Sequence, residues 1–464
     1  MPPSPASRFP AVPSQVALPP CRALCQGKIA SGRTIPRRVR FKVASFASLR
    51  RRGVVGIIGA VSDRGNPPSR ALCGALILAQ GVHTSIIRIP ARAEGAYEVR
   101  IGRGLLGGIL SELRRDWPGN RVFVVTDANV AGAGHLAALL GTADCRLPIA
   151  DFNPQFAARS PQLGVFVIEP PGEGAKTLLT VGTIVGQMER ERYGRDTLVV
   201  ALGGGVVGDV AGFAAAIFKR GVPCVQVPTT TLALADSAIG GKVGVDGELS
   251  KNAYGVFAHP ARVYMDCDTA RTLDERHYRA GLVESVKHAM IADAGYFDQL
   301  ERGLDLLLRR DADALIDITR RNVAVKGGVV FRDPEEANER RVLNFGHTIG
   351  HAVEAASGYA LHHGEAVAIG MIGACLIAEK LGVADRGVLP RARALLGRLG
   401  MPTRLPREVG DEQLLDLMTR DKKARGGSPR FVLLEAIGRV HCPQGQYAAE
   451  VPAEAVCAAL KDLR

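Results

Sequence analysis

The chain has 464 residues, of which 47% are hydrophobic and 23% charged, which is enough apolar material for two folded domains. A formal net charge of +13 would suit a nucleic-acid-binding protein, but this charge is concentrated at the amino terminus. Residues 1–62 contain eleven Lys and Arg and no acidic residue, whereas the remainder carries 48 basic and 46 acidic side chains. We therefore expect no nucleic-acid partner.

The amino-terminal segment has the composition of an organelle-targeting peptide. It is rich in Arg, Ser and Pro, contains no acidic residue before Asp63 and lacks periodicity. We predict that residues 1–92 form a transit peptide and a disordered extension, with a permanent basic arm as the alternative. The apolar runs at 54–61 and 71–82 are shorter than the roughly 20 residues of a membrane span, so no membrane association is expected. Nine cysteines without a CxxC pair favour a reducing compartment.

From about residue 95, short β-type runs alternate with helical stretches. The runs lie at 97–102, 121–126, 164–170, 197–202 and 224–228. This alternation predicts βαβ units and a mostly parallel sheet. After about Thr272, apolar residues recur at helical spacing in the segments 275–308, 312–330, 347–356, 364–382 and 387–399. The predicted fold is an α/β Rossmann-like nucleotide-binding domain over 93–271, followed by an all-α metal and substrate domain over 272–464.

A glycine-rich turn follows the predicted strand at 197–202. Gly203, Gly205 and Gly208 form a G-x-G-x-x-G array, in which backbone N–H groups at a helix start can bind a pyrophosphate. The next strand ends in QVPTTT, without the acidic residue that normally holds the ribose hydroxyls of a dinucleotide. Either the glycines permit close helix–strand packing, or a coenzyme is held from other strand ends. Candidates at earlier strand ends are Asp127, Asn129, Glu173 and Lys176.

Four of the ten histidines lie in one stretch, NFGHTIGHAVEAASGYALHHGEAV. His347 and His351 are spaced i, i+4 and would share a helix face, while His363 precedes the next predicted helix. Two histidines and a carboxylate, supplied by Glu284, would make a catalytic zinc site with positions open for substrate. We predict Glu284, His347 and His363 as ligands and His351 as a proton carrier. For Glu284 the alternative is a surface ion pair with Lys287.

Cationic and polar side chains accumulate on both sides of this stretch. Clustered Lys and Arg around a metal suit a small polyanionic substrate, because fixed cations hold phosphate and carboxylate groups in place. Each of them taken alone could equally be a solvated surface residue. The members are Asp236, Lys242, Lys251, Asn252, Lys326, Arg340, Asn344 and the DKK sequence at 421–423.

These motifs together resemble the 3-dehydroquinate synthase family of the sugar phosphate cyclase superfamily. The matching sequences are ALGGGVVGDVAGF, QVPTTTLALADSAIGGK, SKN, GLVESVK, RRVLNFGHTIGHA, HHGEAV and RDKK. They occur in the family's order and near its spacing, over roughly residues 95–464. So many ordered motifs make the resemblance highly specific.

The resemblance implies roles for individual residues. It implies zinc ligation by Glu284, His347 and His363, with Co²⁺ as an alternative metal. NAD contacts are implied for Asp127, Asn129, Glu173, Lys176, Gly205, Val206, Val207, Gly208, Asp209, Thr229, Thr230, Lys242, Lys251, Thr269 and Thr272. Catalytic or substrate contacts are implied for Asp236, Lys242, Asn252, Lys287, Lys326, Arg340, Asn344, His351 and one of Lys422 or Lys423.

The implied reaction converts 3-deoxy-D-arabino-heptulosonate 7-phosphate to 3-dehydroquinate and phosphate, a step of the shikimate pathway to aromatic amino acids. NAD would take and return a hydride without net redox change. His351, backed by Lys287 and Asn252, would handle protons. The resemblance also implies a homodimer in which Arg220 reaches the neighbour's phosphate. Because the family occurs in plastids of photosynthetic eukaryotes, the leader would direct the chain to the plastid stroma; without import it would be cytoplasmic.

The sequence also departs from the family pattern. The segment near 141–162 is about a dozen residues longer than usual, as surface insertions tolerate. Val243, Ala238, Val283 and Ser285 replace the residues common at their positions, which blurs the distinction from sister cyclases. A sister sugar phosphate cyclase and a metal-dependent NAD polyol dehydrogenase therefore stay open as alternative functions.

Overall fold

The computed structural model describes residues 76–81, 84–91, 95–141, 163–248, 250–423 and 429–464. The acid-free leader and nearly all of the segment near 141–162 lie outside the described residues. The described residues belong to one compact unit. None of the helices in these ranges is long and apolar enough to cross a membrane.

The first half of the chain is organised around a mixed sheet. Its order is β1-β2-β3-β10-β7-β6-β4-β5, with antiparallel pairing from β1 to β3 and parallel pairing elsewhere. A separate hairpin is formed by β8 and β9. The strands are β1 Leu76–Gly81, β2 Thr84–Ala91, β3 Gly95–Gly102, β4 Arg121–Asp127, β5 Leu163–Ile168, β6 Thr197–Gly203, β7 Cys224–Pro228, β8 Lys242–Val245, β9 Tyr254–Phe257 and β10 Arg262–Asp266.

The five predicted strands are all present, with ends that move by at most two residues. The structure adds β1 and β2, which fall inside the range 1–92 that the sequence suggested to be an extension. Ile87 and Ile89 of β2 are buried, so this hairpin contributes to the core. Their apolar runs are short and follow an Arg-rich leader, so the sequence pattern assigned them to the extension. A protein shortened to start at Ala91 would lack both strands.

Helices cover both faces of the parallel strands, because those strands are apolar on both sides. Every residue of β6 is buried, and separate hydrophobic clusters pack against its two faces. The helices of this half are α1 Leu106–Asp116, α2 Ala128–Gly132, α3 His135–Leu140, α4 Leu178–Arg190 and α5 Gly205–Ile217.

The second half is predominantly helical, as predicted. Asp274, Asp293 and Asp311 each accept a backbone N–H bond at a helix start. The cap at Asp293, whose backbone is extended, divides the helix predicted over 275–308 into two. The helices are α6 Glu275–Ala292, α7 Ala294–Leu308, α8 Ala312–Arg332, α9 His347–Ala356, α10 His363–Lys380, α11 Val388–Arg398, α12 Asp411–Lys423 and α13 Ala453–Asp462.

The second half also contains short strands, which the prediction of an all-α domain omitted. They are β11 Arg430–Phe431, β12 Leu434–Ala436, β13 Arg439–Val440 and β14 Ala449–Glu450, and they pair as β11 with β14 and β12 with β13. With two or three residues each, they are too short to give a periodic signal in the sequence. One large hydrophobic cluster joins the helices to β2, β3 and β10, so the two halves share a core.

Candidate active site

The predicted coenzyme residues follow the carboxyl ends of neighbouring parallel strands. Asp127 ends β4, and the Gly205 helix begins directly after β6. In the sheet, β5 lies on one side of β4, and β6, the next strand along the chain, lies on the other side of β4. The direction of the strand order therefore reverses between β4 and β6, which makes this position a topological switch point. Ligands of open α/β sheets bind in the crevice at such points. The remaining members of this coenzyme edge are Asn129, Glu173, Lys176, Val206, Val207, Gly208, Asp209, Thr229, Thr230, Thr269 and Thr272.

The glycine-rich turn has a packing role of its own. A Cβ added to Gly203 would stand 2.5 Å from a methyl carbon of Val207, and one added to Gly208 would stand 2.8 Å from Oε1 of Gln226. These glycines therefore permit close packing between β6, its helix and β7. The helix starting at Gly205 has no side-chain cap, so its first N–H groups are free of a capping side chain at the switch point.

Other coenzyme candidates are held by specific polar contacts. Lys176 is buried and its Nζ lies 2.6 Å from Oδ2 of Asp209. Burial raises the pKa of Asp209, and Lys176 opposes that rise. At the end of β10, Thr272 Oγ1 donates to the carbonyl of Thr269 and lies 2.8 Å from Nε2 of His135. These contacts place ordered polar groups along the coenzyme edge.

The three predicted metal ligands come together between three helices. One donor atom from each of Glu284, His347 and His363 lies within 4.8 Å of the others. Nε2 of His363 is 3.5 Å, and Nε2 of His347 3.9 Å, from Oε1 of Glu284. Glu284 is 1% exposed, so the carboxylate is not the surface pair that was the alternative reading. The carboxylate does pair with Lys287, but inside the protein.

The fit of this cluster to a metal ion rests on its carboxylate. Oε1 of Glu284 is buried without a hydrogen bond of good geometry, whereas Oε2 faces the ammonium group of Lys287. Burial raises the pKa of Glu284, but Lys287 and the two histidines outweigh it and hold that pKa below its ordinary value. Burial lowers the pKa of His363, yet the carboxylates of Glu284 and Glu354 beside it raise that pKa to about 9. Burial and then Lys287 lower the pKa of His347. A neutral imidazole is the form that binds a metal, and a carboxylate with two imidazoles suits Zn²⁺.

Two glycine contacts bring the ligand-bearing helices together. Gly364, next to His363, lies so close to α6 that an added Cβ would stand 1.9 Å from the carbonyl oxygen of Ala280. A Cβ on Gly370 would stand 2.0 Å from the carbonyl oxygen of Gly346, which precedes His347. Because Ala280 is one turn before Glu284, these contacts set the spacing of the three predicted ligands.

A second group of buried charges adjoins the metal cluster. Oδ1 of Asp236 lies 2.9 Å from Nζ of Lys326, 3.3 Å from Nε2 of His288 and 3.9 Å from Nζ of Lys287. Burial lowers the pKa of Lys326, and the nearby cations add to that effect. Asp236, Glu284 and His288 are also close enough to hold a metal, but Asp236 is already paired with Lys326 and Lys287.

Arg340 and its neighbours extend this cationic wall. The Arg340 side chain is buried and donates to the carbonyls of Pro334 (2.6 Å) and Gly240 (3.0 Å). Asp333 fixes the loop before it by accepting backbone N–H bonds from Ala337, Asn338 and Arg340 at 2.7–3.0 Å. Lys242 pairs with Glu336, which also accepts a hydrogen bond from Nδ2 of Asn344 at 2.8 Å.

Two further predicted residues, His351 and Asn252, are exposed. The ring centroid of His351 is 5.1 Å from that of His347 and 6.0 Å from that of His363, and its side chain is exposed. Surrounding protein, and then His363, lower the pKa of His351 to about 4. Asn252 is exposed, and its backbone N–H donates to Asp246 Oδ1 at 2.7 Å.

For Arg220 and the DKK sequence the structure describes no contact with this centre. Arg220 is exposed, and no ion pair of its side chain occurs among the described residues. Lys422 and Lys423 end α12, and their side chains lie outside the described part of the structure.

Sequence reasoning missed several residues that contact the predicted site. Glu354 contacts His363, Glu336 contacts Lys242, and His288 contacts Asp236. Asn322 accepts from Tyr296 and lies 3.1 Å from Nδ1 of His288. Of these, Glu354 and His288 carried a signal, because seven residues after His347 and four residues after Glu284 place them on the same helix face as those predicted ligands.

Solved structures with the same architecture define the class of protein. A 2-deoxy-scyllo-inosose synthase complexed with carbaglucose-6-phosphate, NAD⁺ and Co²⁺ gives a TM-score of 0.71 at 24% identity, over 82% of this chain and 100% of that chain; this likeness concerns the fold. The 2-epi-5-epi-valiolone synthase of Streptomyces hygroscopicus subsp. jinggangensis 5008, with NAD⁺ and Zn²⁺ bound, gives a TM-score of 0.68 at 29% identity. That match covers 81% of this chain and 99% of that chain. The fold is that of the sugar phosphate cyclases.

Sequence comparison identifies the family within this class. Family models of the 3-dehydroquinate synthase N-terminal and C-terminal regions match residues 166–280 and 281–424. The 3-dehydroquinate synthase of Acidithiobacillus ferrooxidans is 42% identical over 347 residues, which are 74% of this chain and 90% of that relative. The chain belongs to the 3-dehydroquinate synthase family, as its motifs predicted.

Proposed function

We propose that the chain converts 3-deoxy-D-arabino-heptulosonate 7-phosphate to 3-dehydroquinate and phosphate, as an NAD- and metal-dependent cyclase of the shikimate pathway. The observation that carries this proposal is the cluster of Glu284, His347 and His363 directly beside the buried cations Lys287 and Lys326. A dehydrogenase of simple alcohols needs the metal and the coenzyme but not fixed cations for a phosphate and a carboxylate.

We propose Glu284, His347 and His363 as the ligands of a zinc ion, with Co²⁺ as the alternative. Oε1 of Glu284 supports this assignment, because it is buried without a hydrogen bond of good geometry and lies within 4 Å of Nε2 of both histidines. A bound zinc ion supplies Lewis-acid polarisation of a substrate oxygen. The protein's contribution is to keep both imidazoles and the carboxylate at a fixed spacing and to leave the remaining positions of the ion open.

NAD is proposed to bind along the coenzyme edge, with its pyrophosphate at the helix that starts at Gly205. The free helix start at the topological switch point supports this position. NAD supplies reversible hydride acceptance when bound. Ribose hydroxyls would be held by Asp127 or Glu173 rather than by an acid after β7, and Lys176 and Lys251 would face phosphates.

The substrate's anionic ends are proposed to bind at Lys242, Lys326, Arg340 and Asn344, together with one of Lys422 or Lys423. Asp236 keeps Lys326 oriented through contacts of 2.9 Å from Oδ1 and 2.7 Å from its backbone carbonyl. Burial makes these charge-assisted contacts stronger than surface ones. A polyanion arriving here would replace interactions that the cations now make with carboxylates and carbonyls.

Proton transfer is assigned to His351, with Lys287 and Asn252 in support. His351 is accessible to solvent and lies one helical turn after His347, so it can exchange protons with a substrate held at the metal. A neutral imidazole can act as a general base.

We further propose a homodimer in which Arg220 completes the neighbour's phosphate site. Lys219 and Arg220 have left-handed backbones, with φ of 49° and 69°, and Arg220 presents its charge on the surface. Mixing inactive Arg220→Ala and His347→Ala chains under exchange conditions should restore up to about a quarter of the activity through mixed dimers. Restoration fails if each chain forms its site alone.

Import into a plastid is proposed for the leader. Its acid-free, Arg-rich composition supports an organelle-targeting role, and the bacterial relative from A. ferrooxidans aligns with only 74% of this chain. A fluorescent protein fused after residue 92 should enter plastids in a plant or algal cell. Fluorescence that stays in the cytoplasm would instead favour the alternative, a permanent basic arm.

The activity itself is tested by following phosphate release and 3-dehydroquinate formation by the full chain. Turnover should require a substoichiometric amount of NAD⁺, should produce no net NADH and should stop with a chelator. Net NADH formation from a polyol would indicate a dehydrogenase instead. Phosphate release only from another sugar phosphate would indicate a sister cyclase.

A further inference from the structure

Glu354 lies at the point where the metal cluster meets the coenzyme edge. It belongs to α9, seven residues after His347, and is 6% exposed. Oε2 of Glu354 is 3.4 Å from Nδ1 of His363, and Oε1 is 2.8 Å from Nζ of Lys251. A buried carboxylate is costly unless both of its oxygens are satisfied, and here each oxygen has a partner. No role in the proposed reaction accounts for this residue.

The contact between Glu354 and His363 determines which ring nitrogen of His363 faces Glu284. An imidazole that binds a metal through one nitrogen carries a proton on the other, and a carboxylate that accepts that proton fixes both the tautomer and the ring orientation. Nε2 of His363 points toward Oε1 of Glu284 at 3.5 Å, while Nδ1 points toward Glu354. His347 is arranged in the same way, because its Nδ1 lies 3.1 Å from the carbonyl oxygen of Phe345.

Lys251 supplies the charge that allows Glu354 to stay in this position. Its Nζ also lies 3.2 Å from Oε1 of Glu173, and 4.6 Å from the centre of the Tyr359 ring. The Glu354 carboxylate is thus held between the His363 ring on one side and the Lys251 ammonium on the other.

We propose that Glu354 is the positioning residue of the metal site. It accepts a hydrogen bond from Nδ1–H of His363 and thereby directs Nε2 of that ring to the ion, while Lys251 anchors the carboxylate from the opposite side. This inference rests on the proposed assignment of Glu284, His347 and His363 as the metal ligands.

The test measures zinc affinity of the full chain, without NAD, by competition with a chromogenic chelator. Removing the carboxylate in Glu354→Ala should weaken zinc binding by about 10- to 100-fold, the usual effect of losing such a partner. Glu354→Gln keeps an acceptor oxygen without the charge and should lie between Glu354→Ala and the wild type. Glu189→Gln, which alters an exposed glutamate on the distant helix α4, should bind zinc as the wild type does.

Spectroscopy separates orientation from general destabilisation. The visible absorption of bound Co²⁺ reports the ligand geometry, so the Glu354 variants should shift the Co²⁺ bands at full occupancy while the thermal midpoint of the protein without metal changes little. Wild-type zinc affinity and wild-type Co²⁺ bands in Glu354→Ala would overturn the inference.

The same titrations distinguish failure of this inference from failure of the metal assignment. If His347→Ala and His363→Ala bind zinc as tightly as the wild type, the proposed ligands are wrong. If those variants lose zinc and Glu354→Ala does not, the ligands stand and only the role of Glu354 is refuted.

Discussion

The coenzyme edge and the metal cluster are built in opposite ways. Along the coenzyme edge, short segments after separate strands supply backbone N–H groups and polar side chains such as Asn129 and Glu173, both exposed. In the metal cluster, charged side chains are almost completely buried, with Glu284 and Lys287 each 1% exposed. The first region can lose a single side chain and keep its geometry, because strands and helix starts define it.

The metal cluster depends on complete sets of partners. Buried charges are tolerated only when they are paired, and removing one member leaves its neighbour buried without compensation. Glu284, Lys287, Asp236 and Lys326 form a continuous series of such pairs. Substitutions should therefore have larger and less local effects in this cluster than along the coenzyme edge.

The largest effect is expected from His347→Ala, which removes a proposed ligand. Zinc affinity should fall by more than about 100-fold, and turnover should fall at least as much, because a ligand matters more than a residue that only orients one. Binding of NAD, measured by calorimetry, should change little if the two regions are independent.

The matched control for this experiment is His277→Ala. His277 lies on α6, the same helix as Glu284, but is exposed and pairs with Asp274 at the helix start. It should keep stoichiometric zinc. Full zinc content in purified His347→Ala would refute the ligand assignment, and a parallel loss of NAD binding would refute the independence of the two regions.

Lys326→Met should give the next largest effect. Asp236 orients Nζ of Lys326 through contacts of 2.9 Å and 2.7 Å toward the proposed substrate site. A charge-assisted bond from this ammonium to an anionic group of the substrate would contribute about 1.5–3 kcal/mol, so its loss should lower kcat/KM by about 10- to 100-fold. Zinc content should be unchanged. The measurement is steady-state phosphate release across substrate concentrations.

Lys380→Met serves as the control for that variant. Lys380 ends α10 and pairs with Asp462, also partly exposed, so its loss removes a surface ion pair that contributes little. Unaltered kcat/KM in Lys326→Met, with the control also unaltered, would remove Lys326 from the proposed substrate site.

Much of this architecture follows from the sequence, and the exceptions have physical causes. Strands such as β6, apolar on both faces, and helices begun by Asp caps carry their own local signal. The strands β1 and β2 do not, because their runs are short and follow an Arg-rich leader. The helix predicted over 275–308 was divided by a single capping residue, Asp293, inside an otherwise continuous apolar pattern.

For the site, local patterns identify residue types but not contacts. The i, i+4 spacing of His347 and His351 and the order of the motifs singled out the candidate ligands, whose roles stay predictions. The contact of His288 with Asp236 joins elements more than fifty residues apart, so no spacing in the sequence encodes it. The same holds for the contact of Lys251 with Glu354.

Gly364→Ala tests whether helix spacing controls the metal cluster. The new Cβ would collide with the carbonyl oxygen of Ala280, and relieving that contact should cost about 1–3 kcal/mol in the free energy of unfolding. His363 should shift with the helix, so zinc affinity should fall as well. Urea denaturation and zinc titration measure the two effects.

Gly303→Ala is the matched control for this substitution. Gly303 lies within α7, and a Cβ added there would meet nothing within 4 Å. Replacing a helical glycine in open space by alanine should be neutral or stabilise by up to about 1 kcal/mol. Equal stability of Gly364→Ala and the wild type would show that the helices can separate without cost.

The smallest effect concerns Asp333, which orders the loop leading to Arg340. Burial raises the pKa of Asp333, but the backbone N–H bonds from Arg340, Asn338 and Ala337 outweigh it and lower that pKa. A folded-state pKa below the unfolded value of about 3.9 means that the stabilisation is complete above that pH and is lost as the pH falls through the folded-state pKa. Asp333→Asn should therefore cost about 1 kcal/mol of unfolding free energy at pH 7, and less below about pH 3.9.

Urea denaturation of Asp333→Asn and the wild type at several pH values checks this sign. Asp305→Asn is the control, because Asp305 is 75% exposed and its pair with Arg398 spans 3.4 Å. Its effect should be small at every pH. If the difference between Asp333→Asn and the wild type instead grew as the pH fell, the carboxylate would not be stabilised by the loop. The cationic wall would then be ordered by Arg340 alone, through its bonds to Pro334 and Gly240.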